Sequence, residues 1–87
     1  MPRRDKRLQK AINNPKNVTF DELCQIFRDH GFVIDSGRGK GSHVLARLPG
    51  TPLKMTIPRQ KPMRRNYVKQ ALGILDEAYS LGYLEED

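Results

Sequence analysis

The chain has 87 residues, with 16 Lys and Arg against 10 Asp and Glu and a formal net charge of +6, which leaves room for one domain around one small core. No apolar stretch reaches the roughly 18 residues that a bilayer span requires, and no apolar segment follows the basic N-terminus as it would in a secretory signal. The lone cysteine, Cys24, excludes an internal disulfide and fits a reducing compartment, so the expectation is a soluble cytoplasmic protein with no membrane partner.

Lys6 to Asn13 reads as a short helix with Leu8, Ala11 and Ile12 on one face. It ends at Asn13-Asn14-Pro15, because the residue before a proline is pushed out of the helical region. The segment "VTFDEL" carries the strongest local signal. Thr19 with Glu22 three positions later is a capping box, and Val18 with Leu23 has the spacing of a hydrophobic staple. The helix they start is predicted to run from Phe20 to His30, to bury Phe20, Leu23, Ile26 and Phe27, and to stop at Gly31. His30 is expected to interact with the last carbonyls of that helix.

Three short extended segments follow. "FVID" (32–35) is rich in β-forming residues. "SHVLARL" (42–48) alternates, with Ser42, Val44, Ala46 and Leu48 on one side and His43, Leu45 and Arg47 on the other. "LKMTI" (53–57) sets Leu53, Met55 and Ile57 against Lys54 and Thr56. The glycine-rich stretch 37–41 joins the first two, "PGTP" (49–52) turns between the second and third, and such short connections favour antiparallel hairpins. After a proline-punctuated loop, Tyr67, Val68, Ala71, Leu72, Leu75, Ala78 and Tyr79 recur with helical period and predict a final helix over 64–80. Gly73 lies inside it, and Gly82 is placed to cap it.

These elements define an α+β fold: a three-stranded antiparallel sheet with two helices on one face, plus a short N-terminal helix. The side of the sheet bearing Val44, Ala46 and Leu48 is expected to take the helices. His43, Arg47, Lys54 and Thr56 then face outward. The chain divides into a basic N-terminal segment (1–17), the α-β-β-β-α domain (18–82) and an acidic tail (83–87).

The charges are segregated. Between Asp35 and Asp76 there is no acidic residue, while Arg38, Lys40, Arg47, Lys54, Arg59, Lys61, Arg64, Arg65 and Lys69 fall there. Arg3, Arg4, Lys6, Arg7 and Lys10 form a second basic cluster. A one-sign stretch of this length points to a polyanion, with nucleic acid ahead of a membrane surface because no helix combines a basic face with exposed aromatics.

"GRGKGSHVL" (37–45) is neither a Walker loop nor a dinucleotide fingerprint, since Gly41 separates Lys40 from Ser42 and a strand follows rather than a helix. As a hairpin loop it would expose backbone N–H groups beside Arg38 and Lys40, a combination that holds a phosphate. The start of the final helix, with Lys61, Arg64, Arg65 and Lys69 around it, also favours an anion. His43 is the one side chain of the basic region suited to acid–base chemistry near neutral pH. Cys24, His30 and His43 lack metal-ligand spacing, and no metal or other cofactor is expected.

The quoted motifs carry a resemblance. "NNPKNVTFDEL", "HGF", "GKGSHVLAR" and "MTIPRQKPMRRNYVKQALGIL", spread from Leu8 to Leu75, resemble the HicA toxins of bacterial toxin–antitoxin systems, above all in Gly41-Ser42-His43, Thr56-Ile57-Pro58 and the final helix. The resemblance implies a fold like that of double-stranded RNA-binding domains, and a ribonuclease that cleaves mRNA, with or without the ribosome, and is held inactive by a HicB antitoxin. It assigns the catalytic histidine to His43. Many HicA toxins carry a second histidine shortly after "TIP", where this chain has Arg59-Gln60-Lys61, so activity here is either weaker or rests on His43 alone.

On this reading His43 takes a proton from an RNA 2′-hydroxyl and drives attack on the adjacent phosphate. Arg38, Lys40 and Arg47 stabilise charge on the phosphate, and Ser42, Lys54, Lys61, Arg64, Arg65 and Lys69 complete the RNA-binding surface. The alternatives are a non-catalytic double-stranded RNA-binding module, and a structural partner for an acidic protein surface.

Overall fold

The computed structural model describes residues 6–36 and 41–85. Helix α1 (Lys6–Asn13) is followed by a single 3-10 turn (Pro15–Asn17) and helix α2 (Phe20–Asp29). Strands β1 (Val33–Asp35), β2 (His43–Arg47) and β3 (Lys54–Pro58) form one antiparallel sheet in that order, and helix α3 (Arg65–Ser80) closes the chain. This is the expected α+β architecture and the element order of a double-stranded RNA-binding domain, with α1 added in front.

The capping box is complete. The Glu22 backbone N–H donates to Thr19 Oγ1 at 3.1 Å, and the Thr19 N–H donates to Glu22 Oε1 at 3.0 Å. The stapling residues Val18 and Leu23 are both buried. At the other end the helix stops one residue earlier than predicted. His30 becomes the cap, Gly31 takes φ +88°, and the N–H groups of Gly31 and Phe32 donate to the carbonyls of Arg28 and Phe27. This is a Schellman closure, which needs a left-handed residue at Gly31, and its apolar contact is Phe32 on Phe27 with ring centroids 4.8 Å apart. Phe32 is thereby taken out of the strand that the sequence assigns to it, and β1 starts at Val33.

The β2–β3 pairing sets Val44 against Ile57 and Ala46 against Met55. All four are buried, together with Leu48 and Leu53 just outside the strands. They meet Leu23, Ile26 and Phe27 of α2 and Val68, Ala71, Leu75 and Ala78 of α3, so both helices lie on this one face. Cys24 is buried among them. Phe20, by contrast, is only partly buried, at the edge of this core with the Arg59 guanidinium over its ring. The turn joining the strands is a type II turn at Pro49-Gly50, with Gly50 at φ +81° and the Thr51 N–H donating to the Leu48 carbonyl.

The basic N-terminal cluster is partly neutralised by the fold itself. Leu8 and Ala11 of α1 are fully buried, which brings Arg7 to Asp29 at 2.7 Å and Lys10 to Glu22 at 2.6 Å. Arg7 and Lys10 therefore pair with the acids of α2, and the polyanion expected from composition has fewer free cations to meet here. Arg3 and Arg4 lie outside the described residues.

The Lys10 hydrogen bond and the Thr19 backbone N–H hold the Glu22 carboxyl below its ordinary value of 4.5. A carboxyl depressed on folding stabilises the native state above its unfolded pKa, and that contribution disappears as pH falls through the folded value. Glu22→Gln should therefore be less stable than the wild type at neutral pH, with the difference vanishing in acid, in urea titrations at a series of pH values. Thr19→Ala should cost about 1 kcal/mol in the same assay through loss of the cap.

Candidate nucleic-acid interface

The register that buries Val44 and Ala46 turns their neighbours outward. On the open face His43 faces Pro58, Leu45 faces Thr56, and Arg47 faces Lys54. His43, Arg47, Lys54 and Thr56 are exposed, as the alternation in the sequence predicts. β1 adds Val33 opposite Arg47 and Asp35 opposite Leu45. Among the described residues no helix covers this face.

Ser42 departs from the expected alternation. It precedes the strand, is exposed, and its Oγ lies 2.9 Å from His43 Nδ1. This contact engages Nδ1 and leaves Nε2 as the other ring nitrogen. If Nδ1 carries the proton and donates it to Ser42 Oγ, the Nε2 lone pair faces solvent and can accept a proton. The Ser42 carbonyl also accepts from the Arg59 N–H at 2.8 Å, which ties the start of β2 to the chain leaving β3.

Arg47 and Lys54 lie at the far end of the same two strands, about 13 Å from His43 at the rise of a β-strand. Like charges directly opposite on paired strands repel. Among the described residues neither has a carboxylate partner, so an anion bridging them would relieve that repulsion. Lys61 and Arg64 are exposed in the segment between β3 and α3, and Arg64 is the N-cap of α3 without a side-chain capping bond. Arg65 and Lys69 are exposed on α3 itself. They belong to the helical layer, on the other side of the sheet from the open face. Arg38 and Lys40 lie outside the described residues. The fold thus sets Ser42 and His43 at the end of the sheet where β3 runs into the Lys61 segment, and Arg47 and Lys54 at the other end.

Two groups differ from their expected roles. His30 is buried, and its Nδ1 lies 2.6 Å from the Tyr79 hydroxyl, so its ring joins α2 to α3, while its backbone N–H meets the helix carbonyls. Nothing in a single sequence pairs residues 49 positions apart. Arg59 and Gln60 also have placements that spacing did not indicate. The Arg59 guanidinium sits 5.2 Å from the centroid of the Phe20 ring, a cation–π contact. Gln60 lines a cleft between the start of α2 and the loop after β3. Among the described residues no three His, Cys, Asp or Glu side chains cluster as a metal site, and no helix is long and apolar enough to cross a membrane.

A three-stranded antiparallel sheet, two helices behind it and an open face carrying a histidine and cations define a small α+β domain of the double-stranded RNA-binding type. Within that class, the family described as the HicA toxin of bacterial toxin–antitoxin systems matches residues 20–76, more than half of the chain. The chain belongs to the HicA toxin family. No curated protein and no solved structure matches it.

Cys24 is not a candidate nucleophile, because burial pushes its thiol up from the ordinary value of 9.0 and the core denies it access. Iodoacetamide should modify it slowly in the native protein and rapidly in urea, as followed by mass spectrometry. Rapid native modification would place the thiol at the surface.

Proposed function

We propose that this toxin is an mRNA interferase of a type II toxin–antitoxin system: an endoribonuclease that needs no metal, uses His43 as its base, and is held inactive by a HicB-like antitoxin. The observation that carries this reading is the His43 imidazole, exposed on the open sheet face with Nδ1 2.9 Å from Ser42 Oγ. Family membership supplies the toxin role.

The chemistry uses a property of RNA itself. Nε2 of His43 takes the proton of a 2′-hydroxyl, the oxygen attacks the adjacent phosphorus, and the bond to the 5′-oxygen breaks. The leaving oxygen takes a proton from solvent. The products are a 2′,3′-cyclic phosphate and a 5′-hydroxyl, and no metal is required by this balance. Arg38 and Lys40 in the preceding loop are assigned to the charge that grows on the phosphate oxygens. Arg47 and Lys54, facing each other with no carboxylate partner among the described residues, are assigned to a phosphate farther along the strand. Lys61, Arg64, Arg65 and Lys69 hold the RNA where it leaves the sheet.

Ser42 has a positioning role in this scheme. In the tautomer with a free Nε2 its hydroxyl accepts from Nδ1–H and holds the ring in place.

Purified protein should cleave an mRNA transcript in EDTA. His43→Ala should reduce turnover by roughly 10²–10⁴-fold with RNA affinity retained. Ser42→Ala should lower kcat by about tenfold with little change in KM, and Ser42→Thr, which keeps the hydroxyl, should recover much of it. Undiminished cleavage by His43→Ala removes His43 from the mechanism, and RNA binding without cleavage by the wild type makes the chain a binding module.

A further inference from the structure

The cleft between the start of α2 and the loop after β3 is not used by the chemistry assigned to His43. Its volume is about 510 Å³, within the range of small-molecule sites. Val18, Phe20, Pro62 and Met63 give it apolar walls, and Asp21 and Gln60 also line it. Gln60 Oε1 is buried and has no hydrogen-bond partner among the described residues. A buried acceptor without a donor is costly, and a ligand that brings an N–H removes the cost.

We propose that this cleft receives one nucleobase of the RNA strand cut at His43, a base with an exocyclic amino group, whose N–H donates to Gln60 Oε1. This rests on the reading of the chain as a ribonuclease and adds to it a source of base preference. Apolar and aromatic walls suit the faces of an unstacked base, which proteins commonly hold in this way while hydrogen-bonding its edge. Lys16 and Lys61 line the same cleft and are exposed, so they meet the flanking phosphates.

The position fits as well. Pro58 lies opposite His43 across the β2–β3 pair, and Gln60 is two residues farther on. Its Cα is therefore within roughly 13 Å of that of His43, the sum of one strand spacing and two Cα steps. The Arg59 N–H bond to the Ser42 carbonyl holds that short path in place. Uracil is the disfavoured base, because it has no exocyclic amino group and its single edge N–H lies between two carbonyl oxygens. Adenine and cytosine present an amino group to Gln60 Oε1.

The test reads the cleft without requiring turnover. Full-length His43→Ala protein is titrated with AMP, CMP and UMP, following the Met63 methyl and the Gln60 side-chain amide by NMR. AMP or CMP should give saturable shifts with roughly tenfold tighter binding than UMP. Gln60→Leu, which keeps the shape and loses the acceptor, should abolish the difference without lowering the unfolding midpoint. In wild-type cleavage maps the same substitution should erase a base preference at one position beside the cut. Equal binding of UMP, no Met63 shift with any nucleotide, or unchanged discrimination by Gln60→Leu would overturn the proposal. Met63 shifts produced by an antitoxin protein and by no nucleotide would also overturn it, by giving the cleft to a protein partner. A wild-type protein that cleaves no RNA, yet shows the nucleotide shifts and their loss in Gln60→Leu, would refute the ribonuclease reading and leave the base site standing.

Discussion

The antiparallel register that sets Val44 against Ile57 and Ala46 against Met55 decides which side chains this protein offers to a partner. Side chains alternate strictly along a strand, so a slip of one residue would carry His43, Arg47 and Lys54 into the core and push the aliphatic set into water. The slip is blocked from both ends. The Pro49-Gly50 turn has a fixed hydrogen-bond pattern, and the Arg59 N–H bond to Ser42 continues the pairing past the strands. Two helices then need an apolar face, and only one is available. The open face follows from the closed one.

The same register has an electrostatic consequence. It places Arg47 and Lys54 opposite each other, where they repel, and gives neither a carboxylate among the described residues. Elsewhere the fold spends its acids differently: Asp29 and Glu22 bind Arg7 and Lys10 and fasten α1 to α2. Arg7 and Lys10 are in this respect structural, and among the described residues Arg47, Lys54, Lys61, Arg64, Arg65 and Lys69 have no carboxylate partner and are left for an outside anion. A formal charge of +6 does not distinguish the two groups; the pairing does. Such exposed pairs are individually weak, and the fully buried Leu8 and Ala11 of α1 contribute more to its docking.

Much of this was legible before any coordinates. The capping box at Thr19 and Glu22, the stop at Gly31 and the alternation around Val44 and Met55 are local signals, and each depends on residues a few positions apart. They yield the elements, their order and the outward position of His43. What stayed hidden depends on pairs distant in sequence. His30 reads as a helix-capping side chain, but its ring meets Tyr79, because only the packing of α2 on α3 brings the two together. Arg59 reads as one more cation of a basic stretch, yet its guanidinium covers Phe20. Ser42 reads as the first residue of the strand and lies instead just before it, with its hydroxyl on the His43 ring. Arg38 and Lys40, the loop cations of the proposed site, fall outside the described residues, so their assignment rests on sequence alone.

The central claim is that an imidazole on the open face acts through the 2′-hydroxyl of RNA. It is tested most directly with an oligoribonucleotide cut by the wild-type protein, resynthesised with a single 2′-deoxy sugar on the nucleotide 5′ to the scissile phosphate. The account predicts that the deoxy substrate still binds and is not cut at that position, while the all-ribose strand yields a 2′,3′-cyclic phosphate and a 5′-hydroxyl. Cleavage of the deoxy strand at the same bond, leaving a 5′-phosphate, would contradict it.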